Sequence, residues 1–290
     1  MPGPVGPTAR RRRLGFELRR LREAAGLKLE QVAAELDLAS STLSRIETGK
    51  APCRSTYVTA MLNMYGVTDQ QQVQLLKDIA REGQRKGWWD TYGDVLPTGF
   101  GIYVGLETEA ASLRAYEAQL VHGLLQTRDY ARTTLRARRR KASAEHIDRL
   151  AELRMKRQEI LTRPSDPLEL WVILDEAVLR RPVGGPKVMR AQLGRLIEAA
   201  EMPNVTLQVL PFSQGAHAGL NGPFCILEFP GGDPGVPDPS VAYVEGAAGN
   251  IYLEKDHEVR RWAEAFDQLR AEAMSPDESR ELIATIGTEI

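Results

Sequence analysis

The spacing of apolar residues between Leu14 and Ile79 constrains this chain more than any other feature. Leu14, Leu18 and Leu21 recur at intervals of four and three residues, and Leu29, Val32, Ala33 and Leu36 follow an i, i+3, i+4, i+7 pattern. Each set therefore lines one face of a short helix. Gly26, just past the first set, is a suitable C′ residue. A third helix, capped by Ser40 or Ser41, carries Leu43 and Ile46 and stops at Gly49, and a fourth holds Val58, Met61, Leu62 and Tyr65 before Gly66. A fifth lies around 73–80. Stripes on helices this short are buried only if they face one another in a compact all-helical bundle.

Within this bundle the stretch Leu18–Lys50 pairs two short helices across the turn Asp37–Leu38–Ala39. Ala33 falls where the helices cross and a larger side chain would push them apart, Leu38 plugs the turn, and Leu43 and Ile46 anchor the second helix. The remaining face is polar. Ser40, Ser41, Thr42, Ser44 and Arg45 combine short hydroxyls with one long bidentate donor, side-chain types that reach base edges in a major groove. Lys28, Gln31, Lys50 and Arg54 flank them and suit phosphate contacts, Gln31 helped by the partial positive charge of a helix N-terminus. A helical hairpin whose polar face is merely solvated satisfies the same periodicity.

Charge is unevenly distributed. The whole chain carries a formal −1, yet residues 1–86 hold 15 Lys+Arg against 9 Asp+Glu, and the rest hold 23 against 30. A basic front suits a polyanion, because neutralising phosphates releases counterions. Residues 1–13 read as a flexible basic arm, Pro- and Gly-rich at first and ending in Arg10–Arg13, a run suited to a minor groove or to plain solvation. No apolar run approaches the ~20 residues that cross a bilayer, and the start lacks the apolar stretch of a secretory signal, so a cytoplasmic location is expected. Cys53 and Cys225 lie far apart without CxxC spacing, which points to reduced thiols and away from a disulfide framework or a zinc site.

The motifs LRRLREAAGL, VAAEL and STLSRIETGK, with the helix after them, resemble the lambda-repressor-like, or Xre-type, helix-turn-helix family. That resemblance implies a five-helix lambda-repressor-like domain over 14–83, a recognition helix at 41–47 and double-stranded DNA as partner. It also implies that Arg22 pairs internally with Glu47 instead of touching bases. The family often has Gln where this sequence has Leu29. One such domain reads few base pairs, so useful specificity calls for a homodimer on half-sites roughly one turn, ~34 Å, apart.

Beyond Gly83 the texture changes. Trp88, Trp89, Tyr92 and Tyr103 crowd among glycines and Pro97 in a connector over 84–106, where flat rings with polar tips suit an interdomain core or a partner or ligand surface. Residues 107–119, 124–139, 143–162 and 187–200 read as helices, and 168–174, 205–210, 224–229, 241–245 and 251–253 as short strands bounded mostly by Gly and Pro. Two more helices close the chain, near 255–273 and from Pro276 to Ile286, the second with Ser275 as N-cap and Gly287 just past its end. The expected fold class is α+β, a five-helix bundle followed by a larger mixed α/β domain over 107–290.

Asp175, Glu176, His217, Asp256 and His257 are the titratable candidates of that domain, but none stands in an HExxH, GxSxG or phosphate-loop pattern. Asp175, at a strand end, suits a helix cap. No catalytic residue, metal or cofactor is expected; an enzyme or a protein-interaction module that keeps the bundle only as a scaffold stays open as a second reading. From Gly87 onward, GWWDTYGDVLP, YVGLETEAASLRAYE, LVHGLLQTRDYAR and NVTLQVLPFSQGAHAGLNGPFCILEFP resemble the antitoxin-like C-terminal domain of actinobacterial regulators, with His122 where that family commonly has proline. The resemblance implies transcription regulation and a small protein partner encoded nearby.

Overall fold

A computed structural model describes residues 9–84, 87–97, 99–230, 239–246 and 249–290. The chain divides into two compact units, Met1–Gly93 with Pro97–Glu109, and Asp94–Leu96 with Ala110–Ile290.

The first unit is helical. α1 (Ala9–Ala24), α2 (Leu29–Glu35), α3 (Ser40–Glu47), α4 (Ser55–Met64) and α5 (Gln70–Glu82) bury Leu14, Leu18, Val32, Ala33, Leu43, Val58, Met61 and Leu62 in one core. These residues are the apolar stripes of the sequence. Arg10–Arg13, expected as a flexible arm, instead form the start of α1, and Arg11 and Arg12 are buried. The Arg11 and Arg12 stems lie against Gly83 and Gly49, and the Arg11 guanidinium donates to the Gly83 carbonyl. Arg10 pairs with Glu82 at 3.1 Å. A 3-10 turn (Trp88–Tyr92) and α6 (Phe100–Glu109) belong to the same unit.

The second unit is a mixed sheet covered by helices. β1 (Ser112–Glu117), β2 (Glu169–Asp175), β3 (Val205–Leu210), β4 (Phe224–Glu228), β5 (Val241–Gly246) and β6 (Gly249–Leu253) stand in the order β3-β2-β1-β4-β5-β6. The first three are parallel, and β4, β5 and β6 are joined to the sheet by antiparallel pairings. β1 overturns the helix expected over 107–119, whose beginning belongs to α6 and whose remainder holds this central strand. Ser-Leu-Arg-Ala-Tyr-Glu contains good helix formers, but β1 is hydrogen-bonded to β2 on one side and β4 on the other. Its Leu113, Ala115 and Tyr116 are buried on both faces of the sheet. Pairing and burial outweigh local propensity here.

The helices of this unit are α7 (Arg128–Arg138), α8 (Ala144–Arg157), α9 (Glu176–Arg180), α10 (Pro186–Ala200), α11 (Asp256–Glu272) and α12 (Pro276–Glu289). Phe266 and Leu269 of α11 pack on Tyr116, Ile173, Phe224, Ile226 and Ala242, one face of the sheet. The alternate residues Leu113, Ala115, Val172, Leu174 and Leu227 are equally buried; α7 packs on α8 and on α10, and α10 on β3. Ser275 and Glu278 form a capping box on α12. Gly287, expected past the end of this helix, lies inside it, 3.9 Å from Leu193 by an added Cβ, because packing on α10 carries the helix through the glycine.

β3 is an edge strand, and the junction of α11 and α12 closes its outer side. Met274 N donates to Val209 O at 2.9 Å, and Val209 N donates to the Ser279 hydroxyl oxygen at 2.9 Å. Ser279 is fully buried. Ser279→Ala leaves the Val209 N–H without its acceptor, and the expected loss is about 1–3 kcal/mol of stability. Chemical denaturation of the two full-length proteins measures it, and equal midpoints would contradict this account.

Candidate nucleic-acid interface

α2 and α3 are joined by four residues. Asp37 takes a left-handed backbone, φ +52°, which a short polar side chain tolerates, and Leu38 N donates to Ala33 O at 2.9 Å, closing the end of α2. The chain is then extended at Ala39, which is the N-cap of α3; its carbonyl accepts from Thr42 N at 2.8 Å. Ser40 and Ser41, one of which was expected as the cap, lie inside the first turn. Their hydroxyls, with those of Thr42 and Ser44, make no hydrogen bond among the described residues. Ser40, Ser41, Ser44 and Arg45 are exposed and Thr42 is half-buried, while Leu43 and Ile46 hold the opposite face of α3 in the core. The Gln31 side chain accepts from Lys28 N at 2.8 Å and so helps to cap α2.

Two features fix α3 against α1. The Arg22 guanidinium donates to both Glu47 oxygens, at 2.7 and 2.9 Å, and to Leu27 O at 2.8 Å. The two side chains are 9% and 3% exposed, and the hydrogen bonds to Glu47, with its charge, hold the Arg22 pKa above its ordinary value. The second feature is close approach. A Cβ on Gly15 would lie 2.4 Å from Ile46 O, and one on Gly49, at φ +67°, 2.7 Å from Arg12 Cα. Only glycine fits either place. Gly15 carries no signal in the apolar periodicity, since its role depends on a helix more than 25 residues away.

Cations of this unit differ in their partners. Arg10, Arg19, Arg20, Arg22 and Arg81 each pair with a carboxylate. Lys28, Arg45, Lys50 and Arg54 are exposed and make no ion pair among the described residues. These four border α2 and α3: Lys28 is the N-cap of α2, Arg45 lies on α3, Lys50 follows it, and Arg54 is the N-cap of α4; the half-buried Lys77 of α5 also makes no ion pair among the described residues. Unpaired guanidinium and ammonium groups beside exposed hydroxyls are suited to phosphate oxygens and base edges.

A family model described as a helix-turn-helix domain matches residues 13–76, and one described as a domain of unknown function, DUF5753, matches residues 100–285, more than half of the chain. The chain belongs to the DUF5753 family. Neither a curated protein nor a solved structure matches it. In this DUF5753 protein the helix-turn-helix match covers α1 from Arg13 onward, α2 to α4 and part of α5, and so includes every residue of the candidate interface. No helix among the described residues is long and apolar enough to cross a membrane.

The other candidates have different surroundings. Trp89 and Tyr103, expected on a partner or ligand surface, are buried; the Trp89 ring lies against Gly87 and Gly105, and its edge meets Trp88 at 6.0 Å. A Cβ on Gly87 would lie 2.3 Å from the Trp89 ring and one on Gly105 3.0 Å from it, so these glycines leave room for the indole inside the helical unit. Trp88 and Tyr92 are half-buried and meet edge to face at 6.2 Å. In the second unit Asp175 Oδ1 accepts from Ala177 N at 2.9 Å and caps α9, Tyr116 Oη donates to Oδ2 at 3.4 Å, and His217 Nε2 lies 4.0 Å from Oδ2. Glu176 pairs with Arg180 and accepts from Phe212 N, whereas Asp256 and His257 are exposed on the first turn of α11. Cys53 and Cys225 are buried free thiols, and burial pushes the Cys53 thiol up to about 12. No metal-ligating group of three or more stands among the described residues.

Glu47→Ala strands the Arg22 guanidinium in the bundle, with an expected cost of roughly 3–5 kcal/mol. Thermal unfolding of the full chain reads this directly, and a midpoint equal to that of the parent would show that the pair contributes no stability.

Proposed function

We propose that this chain is a sequence-specific, Xre-type transcription regulator that places α3 in the major groove of double-stranded DNA. The observation that carries this reading is the outer face of α3, where the exposed side chains of Ser40, Ser41, Ser44 and Arg45 have no hydrogen-bonding or ionic partner among the described residues, flanked by the exposed Lys28, Lys50 and Arg54, which have no ion pair there either. In this reading Ser40, Ser41, Thr42, Ser44 and Arg45 meet base edges, and Lys28, Gln31, Lys50 and Arg54 meet phosphates. Arg22 and Glu47 hold the recognition helix in place. Arg45→Ala is expected to weaken binding at the cognate site by about 1–3 kcal/mol, whereas Lys50→Ala weakens all sequences alike and lowers the salt slope by about one. Fluorescence titration at two salt concentrations separates these effects. Unchanged affinity in both variants would refute the reading.

The second unit is, in the same proposal, the regulatory part of a cytoplasmic protein that associates with the nucleoid when bound, and it is not catalytic. Its likeness to the antitoxin-like domain of actinobacterial regulators supports control by a small protein encoded nearby. Such a partner changes operator affinity only if it binds the competent and incompetent states unequally; a tenfold effect takes about 1.4 kcal/mol of coupling. Two-fold operators favour a homodimer. Light scattering is expected to give twice the chain mass, and titration of the adjacent small protein to shift operator affinity. A monomer with full operator affinity, or a partner that binds without that shift, would remove the corresponding part of the proposal.

A further inference from the structure

Two short segments hold much of the positive charge of the second unit. Residues 128–141 and 181–190 carry ten of the 23 Lys+Arg that follow residue 86, and one of the 30 Asp+Glu, Asp129. Elsewhere beyond residue 86, 13 Lys+Arg face 29 Asp+Glu. Arg128, Arg132 and Arg136 recur every four residues on the exposed side of α7, while Tyr130, Ala131, Thr134 and Leu135 turn its other side inward. In the second segment Arg181 follows α9, and Lys187 and Arg190 lie in the first two turns of α10, all three exposed.

The fold brings these segments side by side. Thr127, the N-cap of α7, donates its N–H to Gln192 Oε1 of α10 at 2.7 Å, and the fully buried Gln192 donates to Leu125 O at 2.8 Å. Further along α7, a Cβ on Gly184, at φ +73°, would lie 3.0 Å from Thr133 Oγ1, and Arg181 is within electrostatic range of Tyr130. Gly184 therefore lets the turn between Arg181 and Lys187 close on α7, beside the residue that follows Arg132. Both segments thus belong to one surface, carried on two helices that a buried glutamine ties together.

Few of these cations serve the fold. Arg132 pairs with Asp148 at 2.9 Å, and Arg136 donates to Ala142 O at 2.8 Å. Arg128, Arg140, Lys141, Arg181, Lys187 and Arg190 are exposed, and their side chains make neither an ion pair nor a hydrogen bond among the described residues. Lys187 even stands in the first turn of a helix, where the dipole disfavours a cation, and no acidic residue shares that turn. The surface also lacks the anchors of a protein interface, which is built around apolar and aromatic side chains and is poor in lysine at its centre. Large apolar side chains exposed among the described residues are Phe16, Phe212, Leu220 and Ile251, and neither segment contains one. A helix that lies on a membrane needs an apolar face as well. A phosphate backbone needs only cations within reach.

We infer that this surface of the second unit, formed by α7 and the turn into α10, binds the phosphate backbone of duplex DNA without reading its sequence. The inference rests on the reading of the chain as a DNA-binding protein, which supplies the polyanion, and it adds a second contact in a unit that holds no part of the helix-turn-helix. From Arg128 to Arg136 the stripe spans about 12 Å at 1.5 Å per residue, the rise of three or four nucleotides of one strand at about 3.4 Å each. Contacts of this kind supply affinity and salt dependence but carry no base information.

Fluorescence anisotropy of a long random-sequence duplex, titrated with the full chain over a range of salt, is the test. Arg128→Gln combined with Lys187→Gln, one cation from each segment, is expected to weaken binding about tenfold and to lower the salt slope by about two, at ~0.9 per phosphate contact. Arg128→Lys with Lys187→Arg keeps both charges and should bind as the parent does, which separates lost charge from lost fold. Arg260→Gln with Arg261→Gln makes the same change of net charge on the exposed side of α11, away from this surface, and should leave affinity and slope unchanged. An unchanged slope in the Arg128 and Lys187 double variant would overturn the inference and leave the role of α3 standing. Equal losses in the α11 variant would overturn it too, since the effect would then be one of net charge. So would an unchanged slope accompanied by lost binding of polyglutamate, which would assign the surface to an acidic protein. A lowered slope in the double variant, with Arg45→Ala without effect at the cognate site, would keep this inference and remove the recognition role of α3; a parent chain that binds no duplex would remove both.

Discussion

The buried pair of Arg22 and Glu47 is the contact on which the helix-turn-helix depends. α3 is only eight residues long and has no side-chain cap, so its own hydrogen bonds hold it weakly. It is positioned by what grips its last turn. Arg22 clasps Glu47 from α1 and reaches the Leu27 carbonyl, Gly15 lets the α1 backbone come down on the carbonyls of Ile46 and Glu47, and Gly49 admits Arg12. An ion pair is seldom a gain in itself over apolar packing of equal size. Its consequence here is orientation: with the C-terminal end of α3 clamped and Leu43 and Ile46 in the core, the exposed hydroxyls and Arg45 are left on the outer face.

Most arginines of the first unit are paired, and the cations beside α2 and α3 are not. Arg10, Arg19, Arg20, Arg22 and Arg81 find carboxylates, and Arg11, where burial holds the guanidinium pKa below its ordinary value, finds the Gly83 carbonyl. Those beside α2 and α3 have none among the described residues, and the cost of leaving them so is small because water solvates them.

β1 links the two faces of the second unit. Tyr116 enters the core under α11 and touches the Asp175–His217 corner, while the next residue, Glu117, lies among the arginines of α8. A one-residue slip of this strand would exchange the two. Its register is held from both sides, by the parallel ladder to β2 and the antiparallel ladder to β4.

Local periodicity by itself determined the helices of the first unit and most elements of the second. A stripe such as Leu29, Val32, Ala33 and Leu36, or a cap such as Ser275–Pro276, acts within one or two turns of chain, and so is visible in the letters. The exposed residues of α3 were legible for the same reason, because fixing Leu43 and Ile46 inward sends Ser41, Ser44 and Arg45 outward. What the letters left undecided depends on partners distant in sequence. Arg10–Arg13 are helical because Gly83 and Glu82 receive them, and 112–117 is a strand because β2 and β4 pair with it. Trp89 is buried because Gly87 and Gly105 leave room for its ring. The charged groups that face Glu117 at the end of β1 come from α8 and β5, and Glu245 lies more than a hundred positions along the chain from it. Only the tertiary fold brings their charges within reach of one another, since electrostatic energy depends on distance in space and not on order along the chain.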